Sequence, residues 1–370
     1  RAAQVRDTPV APIGDAFVAG PLGGGRVTLG GGVYVPFGAV LRMPHDGAQR
    51  WVVQDVTLLV AAATPAVSVA LTDALSVGVS LPLYAGVAEL SRVQDFAEVA
   101  EVGVALSNPP IGQPNDFGPD APTDVLARPF LLSRATAARP TFGLGVFVQP
   151  TDAWTMGASY VHKAPLTFAG NAQLDMDDDF FTQDLVDQGL AFEPLVEGRG
   201  TLGVVLPWTL RVGASWQATV RHKVGVALAV VGWSTVKALD VRIEADGLEQ
   251  PTLGLPRAVS LAVPRAWRDT VDAEFVHEVA AGDGFDVWYG AGVHSPASPD
   301  ETMDLAAIDG WRVTAGLGGS LRLAPRLAGV LDAEVQTVPR RTVAASRHDI
   351  GNGDYALTLF RFGGHLDVRF

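Results

Sequence analysis

Apolar and polar side chains alternate along most of this chain with a period of two, the pattern of strands whose faces meet different media. Its final stretch shows this most simply. Phe360, Phe362, Leu366, Val368 and Phe370 share one parity, and Arg361, His365, Asp367 and Arg369 share the other. Trp208, Leu210, Val212, Ala214 and Trp216 likewise alternate with Thr209, Arg211, Gly213, Ser215 and Gln217, which places an aromatic ring at each end of an apolar stripe. Trp311, Val313, Ala315, Leu317 and Leu321 alternate in the same way with Arg312, Thr314, Gly316, Gly318, Ser320 and Arg322. One such strand also suits the core face of a soluble sandwich, but agreement across many strands favours a wall with hydrocarbon outside and water inside.

Short turns punctuate the alternation. Phe142, Leu144, Val146 and Val148 lead into Pro150–Trp154, after which Met156, Ala158 and Tyr160 resume the apolar face. Tight turns are also expected at Val35–Gly38, Thr72–Ala74, Ala218–His222, Ala281–Gly284 and Leu323–Arg326. Six turns imply about twelve paired strands, and the C-terminal strand makes about thirteen. Between the hairpins lie longer stretches: Pro44–Arg50, Ser91–Pro140, Asp175–Val205, Ala245–Pro264, Ser295–Gly310 and Pro339–Asp354. Short turns at one end and long loops at the other predict an all-β, antiparallel transmembrane β-barrel of the bacterial outer membrane, crossing it many times.

Composition narrows the choice. The chain has 370 residues and is 48% apolar, and its mean hydropathy is +0.22. No run approaches the roughly 18 apolar residues of a spanning helix. One barrel can occupy the whole length, so a single wall domain is expected over residues 26–370. The net charge of −13 excludes a phosphate-binding surface, and so nucleic acid as a partner. There is no cysteine, which removes disulfides and thiolate metal sites. Histidines 162, 222, 277, 294, 348 and 365 are scattered, and neither a Gly-x-Ser-x-Gly elbow nor a His-Glu-x-x-His helix organises them. The glycine clusters at 23–25 and 30–32 lack the lysine and helix of a phosphate loop. The chain therefore reads as no enzyme, with no cofactor and no metal.

Several local motifs, in order, resemble the FadL/TodX family of long-chain fatty acid and hydrocarbon transporters of the Gram-negative outer membrane. They are Val33-Tyr-Val-Pro-Phe-Gly38, the segment Pro65–Gly78, Gly232-Trp-Ser-Thr-Val-Lys-Ala-Leu239, Trp267-Arg-Asp-Thr270, Ser295-Pro-Ala-Ser-Pro-Asp300 and the terminal Phe370. The resemblance runs from about residue 26 onward. It implies a fourteen-stranded barrel, an N-terminal hatch in the lumen, and passive uptake of hydrophobic molecules through a groove between outer loops. The family's Asn-Pro-Ala hatch signature is not found here. Residues 1–25 read instead as an outer loop, with the hatch and one further strand expected upstream of Arg1.

Two loops are less polar than exposed loops should be. Ser91–Pro140 carries Phe96, Val99 and Phe130, and Asp175–Val205 carries Phe180, Phe181, Leu185 and Phe192. Under the resemblance these are the third and fourth outer loops and the ligand-capture groove; packing to close the loop cap is the structural alternative. Arg128, Arg134 and Arg139 follow the first loop and are candidates to hold a carboxylate headgroup by paired hydrogen bonds, the alternative being water, lipopolysaccharide phosphates or a neighbouring acid. The acidic run Asp175, Asp177, Asp178 and Asp179 lacks the spacing of a calcium loop and reads as solvated. A side exit is expected at Gly38, Ala39, Leu41 and Pro44, because Pro44 cannot donate to a ladder. Arg211, Asp240, Arg242, Arg268, Asp272, Glu274, Arg312, Asp332, Glu334, Arg361, His365, Asp367 and Arg369 are expected inside, salt-bridged in a wet lumen. The resulting expectation is a monomer that passes hydrophobic small molecules, most plausibly long-chain fatty acids, and contacts outer-membrane lipid and lipopolysaccharide. A general diffusion porin and a non-transporting adhesin or structural barrel are the alternatives.

Overall fold

The structure, a computed structural model, describes residues 13–369 apart from 24, 46–49, 51–52, 96–126, 187–188, 190–191, 250–255, 306–307 and 348–350. At Asp95, Phe180, Asp184 and 261–263 it describes the backbone alone. The wall opens with β1 (Ala16–Leu22), β2 (Val27–Arg42) and β3 (Asp55–Ala70). The next six wall strands are each interrupted once. β4 (Leu75–Ser80) continues as β5 (Leu83–Asp95), and β6 (Ala127–Pro140) as β7 (Gly143–Thr151). β8 (Trp154–Val161) continues as β9 (Ala164–Asp175), and β10 (Leu195–Leu206) as β11 (Thr209–Gln217). β12 (His222–Val231) continues as β13 (Ala238–Glu244), and β14 (Ala258–Pro264) as β15 (Thr270–Gly282). β16 (Phe285–His294), β17 (Arg312–Ala324), β18 (Leu327–Val343) and β19 (Gly353–Val368) complete the wall. Thirteen wall strands thus stand among the described residues, each antiparallel to the next. The fold is an antiparallel β-barrel wall; no ladder between β1 and β19 is present among the described residues.

Five of the six expected tight turns join neighbouring strands, at 71–74, 152–153, 218–221, 283–284 and 325–326. Val35–Gly38 is not a turn: it lies inside β2, where the register slips between Tyr34 and Phe37 and makes a bulge. The missing turn is at Gly23–Arg26, between β1 and β2, where Gly23 and Gly25 take positive φ of 40° and 78°. Ala16–Leu22, expected within a loop, is therefore a strand paired with Val27–Val33. The long stretches were also drawn too wide, since Ala127–Pro140, Leu195–Val205 and Ala258–Pro264 are strand. Strong polarity in a strand that rises above a membrane looks like loop when read locally.

Cross-strand register shows what the outer face meets. Val67, Val79, Leu144, Tyr160, Leu210, Val230 and Val271 lie directly opposite one another in turn, across β3, β4, β7, β8, β11, β12 and β15. Leu144, Leu210 and Val271 are 51%, 40% and 53% exposed, so this apolar row has no protein to bury it and needs hydrocarbon. Rings bound the row. Trp154 stacks on Trp216 at 5.9 Å near the turns, and Tyr160 lies 6.4 Å from Trp208 at the upper edge. From Trp216 to Trp208 a tilted strand rises about 20 Å, close to the ~25 Å apolar band of such barrels.

The interruptions fall in one row around the wall, at 81–82, 141–142, 162–163, 207–208, 232–237 and 265–269. Pro82 and Pro207 stand in two of them and offer no N–H to the ladder. At 162–163 and 207–208 the chain also changes phase. Even-numbered residues face outward in β8 and β11, but in β9 and β10 the even set, with Leu166, Phe168, Leu174 and Leu206, is buried inside. Outside, the opposed sets are now Asn171, Arg199 and Glu244, and Thr167, Gly203 and Asp240. Below the row the wall is apolar outside; above it β9, β10 and β13 present polar sets outside and apolar ones inside. The row marks the upper membrane boundary.

Candidate functional site

The apolar interior above the breaks forms one buried cluster. Phe168, Leu202 and Val241 lie opposite one another on β9, β10 and β13, and Phe130, Leu174 and Val196 do so on β6, β9 and β10. Val60, Ala62, Leu132 and Ile243 complete its sides. The segment 176–194 closes the top by turning Met176, Phe181, Leu185 and Phe192 down into it. Phe181 meets Phe192 edge to face at 5.5 Å. Phe181 also lies under the Arg128 guanidinium at 5.4 Å, and Arg128 pairs with Asp178 at 3.4 Å. The acidic run is thus anchored through Asp178, and the described residues hold no group of three metal-ligating side chains.

The structure brings together four of the expected ligand residues, Phe130, Phe181, Leu185 and Phe192, all at most 8% exposed. Arg134 is not among them. It sits exposed at a β6 bulge with a positive φ of 52°, a strained backbone for a residue with a Cβ. Phe96 and Val99 lie outside the described residues, as does the Phe180 side chain. Gly38, Ala39 and Leu41 are paired on one side with Leu59, Leu58 and Val56 of β3. On their other side the β1 ladder stops at Val33, so this edge of β2 carries no ladder among the described residues; Pro44 follows the strand end.

At the level of the breaks, rings enter the bore. The segment 232–237 leaves the wall in a short turn, Trp233–Thr235, and Trp233 meets Phe37 of β2 at 5.9 Å. Trp267, from the break at 265–269, abuts Trp233 edge to face at 5.2 Å. Sequence reasoning used Trp233 and Trp267 only as family markers. The signal that could have found them is the loss of alternation across Gly232–Lys237.

Below, the inward face is small and polar. A recess of about 580 Å³ includes Thr155, Ser159, Arg211, Ser215 and Glu274 in its lining. Thr155 and Ser215 hydroxyls share a hydrogen bond at 2.6 Å. Opposed charges pair as expected, Arg361 with Asp332 and with Glu334, each at 3.4 Å; Nδ1 of His294 lies 3.2 Å from Asp272. Asp240 and Arg242 require correction. They face outward, since Val241 between them is buried in the cluster, and Arg242 approaches the equally exposed Glu244 at 3.9 Å. The inversion of polarity accounts for it: even residues face outward in β13 as they do in β12, but above the break the outward set is the polar one.

A family model described as outer membrane protein transport protein (OMPP1/FadL/TodX) matches residues 4–352. A FadL homologue of Pseudomonas aeruginosa superposes with a TM-score of 0.74 at 17% identity, over 95% of this chain and 76% of that one. The toluene transporter TbuX of Ralstonia pickettii gives 0.64 at 16% identity, over 95% and 80%. The toluene transporter TodX of Pseudomonas putida gives 0.67 at 16% identity, over 96% and 82%. No curated protein matches the sequence.

Proposed function

The chain belongs to the OMPP1/FadL/TodX family of outer membrane transport proteins, and from that premise we propose that it carries hydrophobic small molecules, long-chain fatty acids among them, passively through the bacterial outer membrane. The observation that carries this reading is the inverted wall. A buried apolar cluster stands above the membrane boundary, inside a polar exterior, where a water-filled porin would need no such interior. Burial of ligand surface there is favourable by roughly 25 cal/mol per Å². Phe130, Phe181, Leu185 and Phe192 are the inner contacts, and with Phe96, Val99, Phe180 and Arg134 they make up the proposed capture site.

Departure is proposed along β2 between Gly38 and Pro44, the edge where, among the described residues, ladder bonds run on one side only. Uptake of a radiolabelled long-chain fatty acid and of toluene by cells expressing the protein tests the function. Uptake of neither, at normal expression in the outer membrane, would remove it. Bulky substitution of Ala39 or Leu41 tests the exit, and unchanged uptake would count against it.

A further inference from the structure

We infer that Phe37 and Trp233 form the constriction of the transport path and set the width of the ligand that passes. This rests on the transport reading above but is read out separately from it. The two residues come from distant parts of the wall: Phe37 is on β2, the second wall strand, and Trp233 follows β12, in the eighth of thirteen. Their rings nevertheless meet at 5.9 Å. A contact between wall strands so far apart runs through the interior, not along the sheet.

Each residue is placed there by an irregularity. Val33 and Phe37 have the same parity, yet Val33 is outward and 56% exposed, while Phe37 pairs opposite the buried Val60. The bulge at Val35–Pro36 reverses the face. Trp233 is carried inward by the break at 232–237, whose first residue must be glycine. A Cβ on Gly232 would come within 1.9 Å of Nε1 of Trp208. Bulges and breaks cost ladder bonds, and they commonly serve to re-aim a side chain. Behind Trp233, Trp267 abuts it at 5.2 Å, and the Arg265 guanidinium covers Trp267 at 5.8 Å. These two are positioning residues.

The level of the contact matches the role. Above it lies the buried apolar cluster, and below it the inward face carries Arg211 and Glu274. Two rings closing on each other there exclude hydrated ions by dewetting, while an apolar molecule can displace them by rotation about their χ angles. Toluene-sized and chain-like ligands differ in the opening they need, so ring size at 37 and 233 should select between them.

Ion conductance of the full chain in planar bilayers tests this without any hydrophobic substrate. Trp233→Ala and Phe37→Ala are expected to raise single-channel conductance at least several-fold, whereas Trp233→Phe stays near the unsubstituted level. Both alanine variants conducting at the unsubstituted level, with the gel mobility of folded barrels, would overturn the inference. If they do not fold, Trp233→Cys or Phe37→Cys provides a lone thiol in a cysteine-free chain. Stepwise loss of conductance with methanethiosulfonate reagents of increasing size supports the constriction, and indifference to them refutes it. Cells that take up no hydrophobic compound while Trp233→Ala conducts would sink the transport reading and leave the constriction standing.

Discussion

Arg265 donates from Nη1 to Oδ2 of Asp304 at 2.6 Å, and neither side chain is more than 4% exposed. The pair ties the break at 265–269 to the segment after β16. β16 ends at His294, whereas β14 pairs on one side with β13, so this part of the upper wall is filled by the chain around 295–311. Arg341 holds the same segment, donating to the carbonyls of Ser298 at 2.9 Å and Asp309 at 3.0 Å. Asp309 in turn accepts from the Ala297 and Ser298 amides at 2.6 and 2.7 Å.

Removing Asp304 takes the carboxylate away from the buried Arg265 guanidinium. Asp304→Ala is expected to lower unfolding stability by about 3–5 kcal/mol, and the double change Arg265→Met with Asp304→Leu to recover most of it. Urea unfolding in detergent micelles measures both. Equal losses in the single and double variants would contradict the account.

The inverted wall predicts opposite tolerance on the two sides of the breaks. Leu228, opposite Val212 midway between the tryptophan levels, faces lipid, so Leu228→Arg should cost about 2–4 kcal/mol. Thr167 is exposed on the polar exterior above, and Thr167→Arg should change stability by no more than about 0.5 kcal/mol. Folding equilibria in lipid vesicles compare the two.

Phe181 is 1% exposed and, from between β9 and β10, packs into the buried apolar cluster. Phe181→Ala is expected to weaken that packing by about 3–5 kcal/mol. Limited proteolysis should then cut between β9 and β10 at a faster rate, with affinity for a fatty acid reduced in equilibrium binding. Unchanged proteolysis would mean that the ring does not hold the segment.

The Asp354 carboxyl is held down at about 2, first by the hydrogen bond from Arg340 and then by that from Thr342. A carboxyl lowered on folding contributes stability that is complete above its unfolded value of ~3.9 and disappears as pH falls through about 2. The β18–β19 end near Thr342 should therefore loosen between those values and stay intact at neutral pH. The carbon-13 shift of the Asp354 carboxyl follows it. Arg340→Gln should move the midpoint up toward the ordinary range.

Much of the wall was legible locally. Alternation around Trp208–Trp216 and at the C-terminal strand follows from the two-residue repeat of an extended chain, and turns such as Ala281–Gly284 from glycine's access to positive φ. The Phe181, Leu185 and Phe192 cluster was legible as apolar residues where polar ones belong. Arg134 reads as part of a loop because its neighbours Ser133 and Arg139 are polar, although it lies at a bulge within β6.

By itself, then, the sequence determined that this chain forms strands with one greasy and one wet face, and that its connections are short at one end and long at the other. Those properties arise from neighbours along the backbone. Only the tertiary structure decided which face looks outward above the breaks, where the phase of β9 and β10 is reset and the polar set of β13, with Asp240 and Arg242, takes the exterior. It also decided that Phe37 and Trp233 meet. Register and cross-bore contacts are set by hydrogen-bond partners far away in the chain, and no count along a single strand contains them.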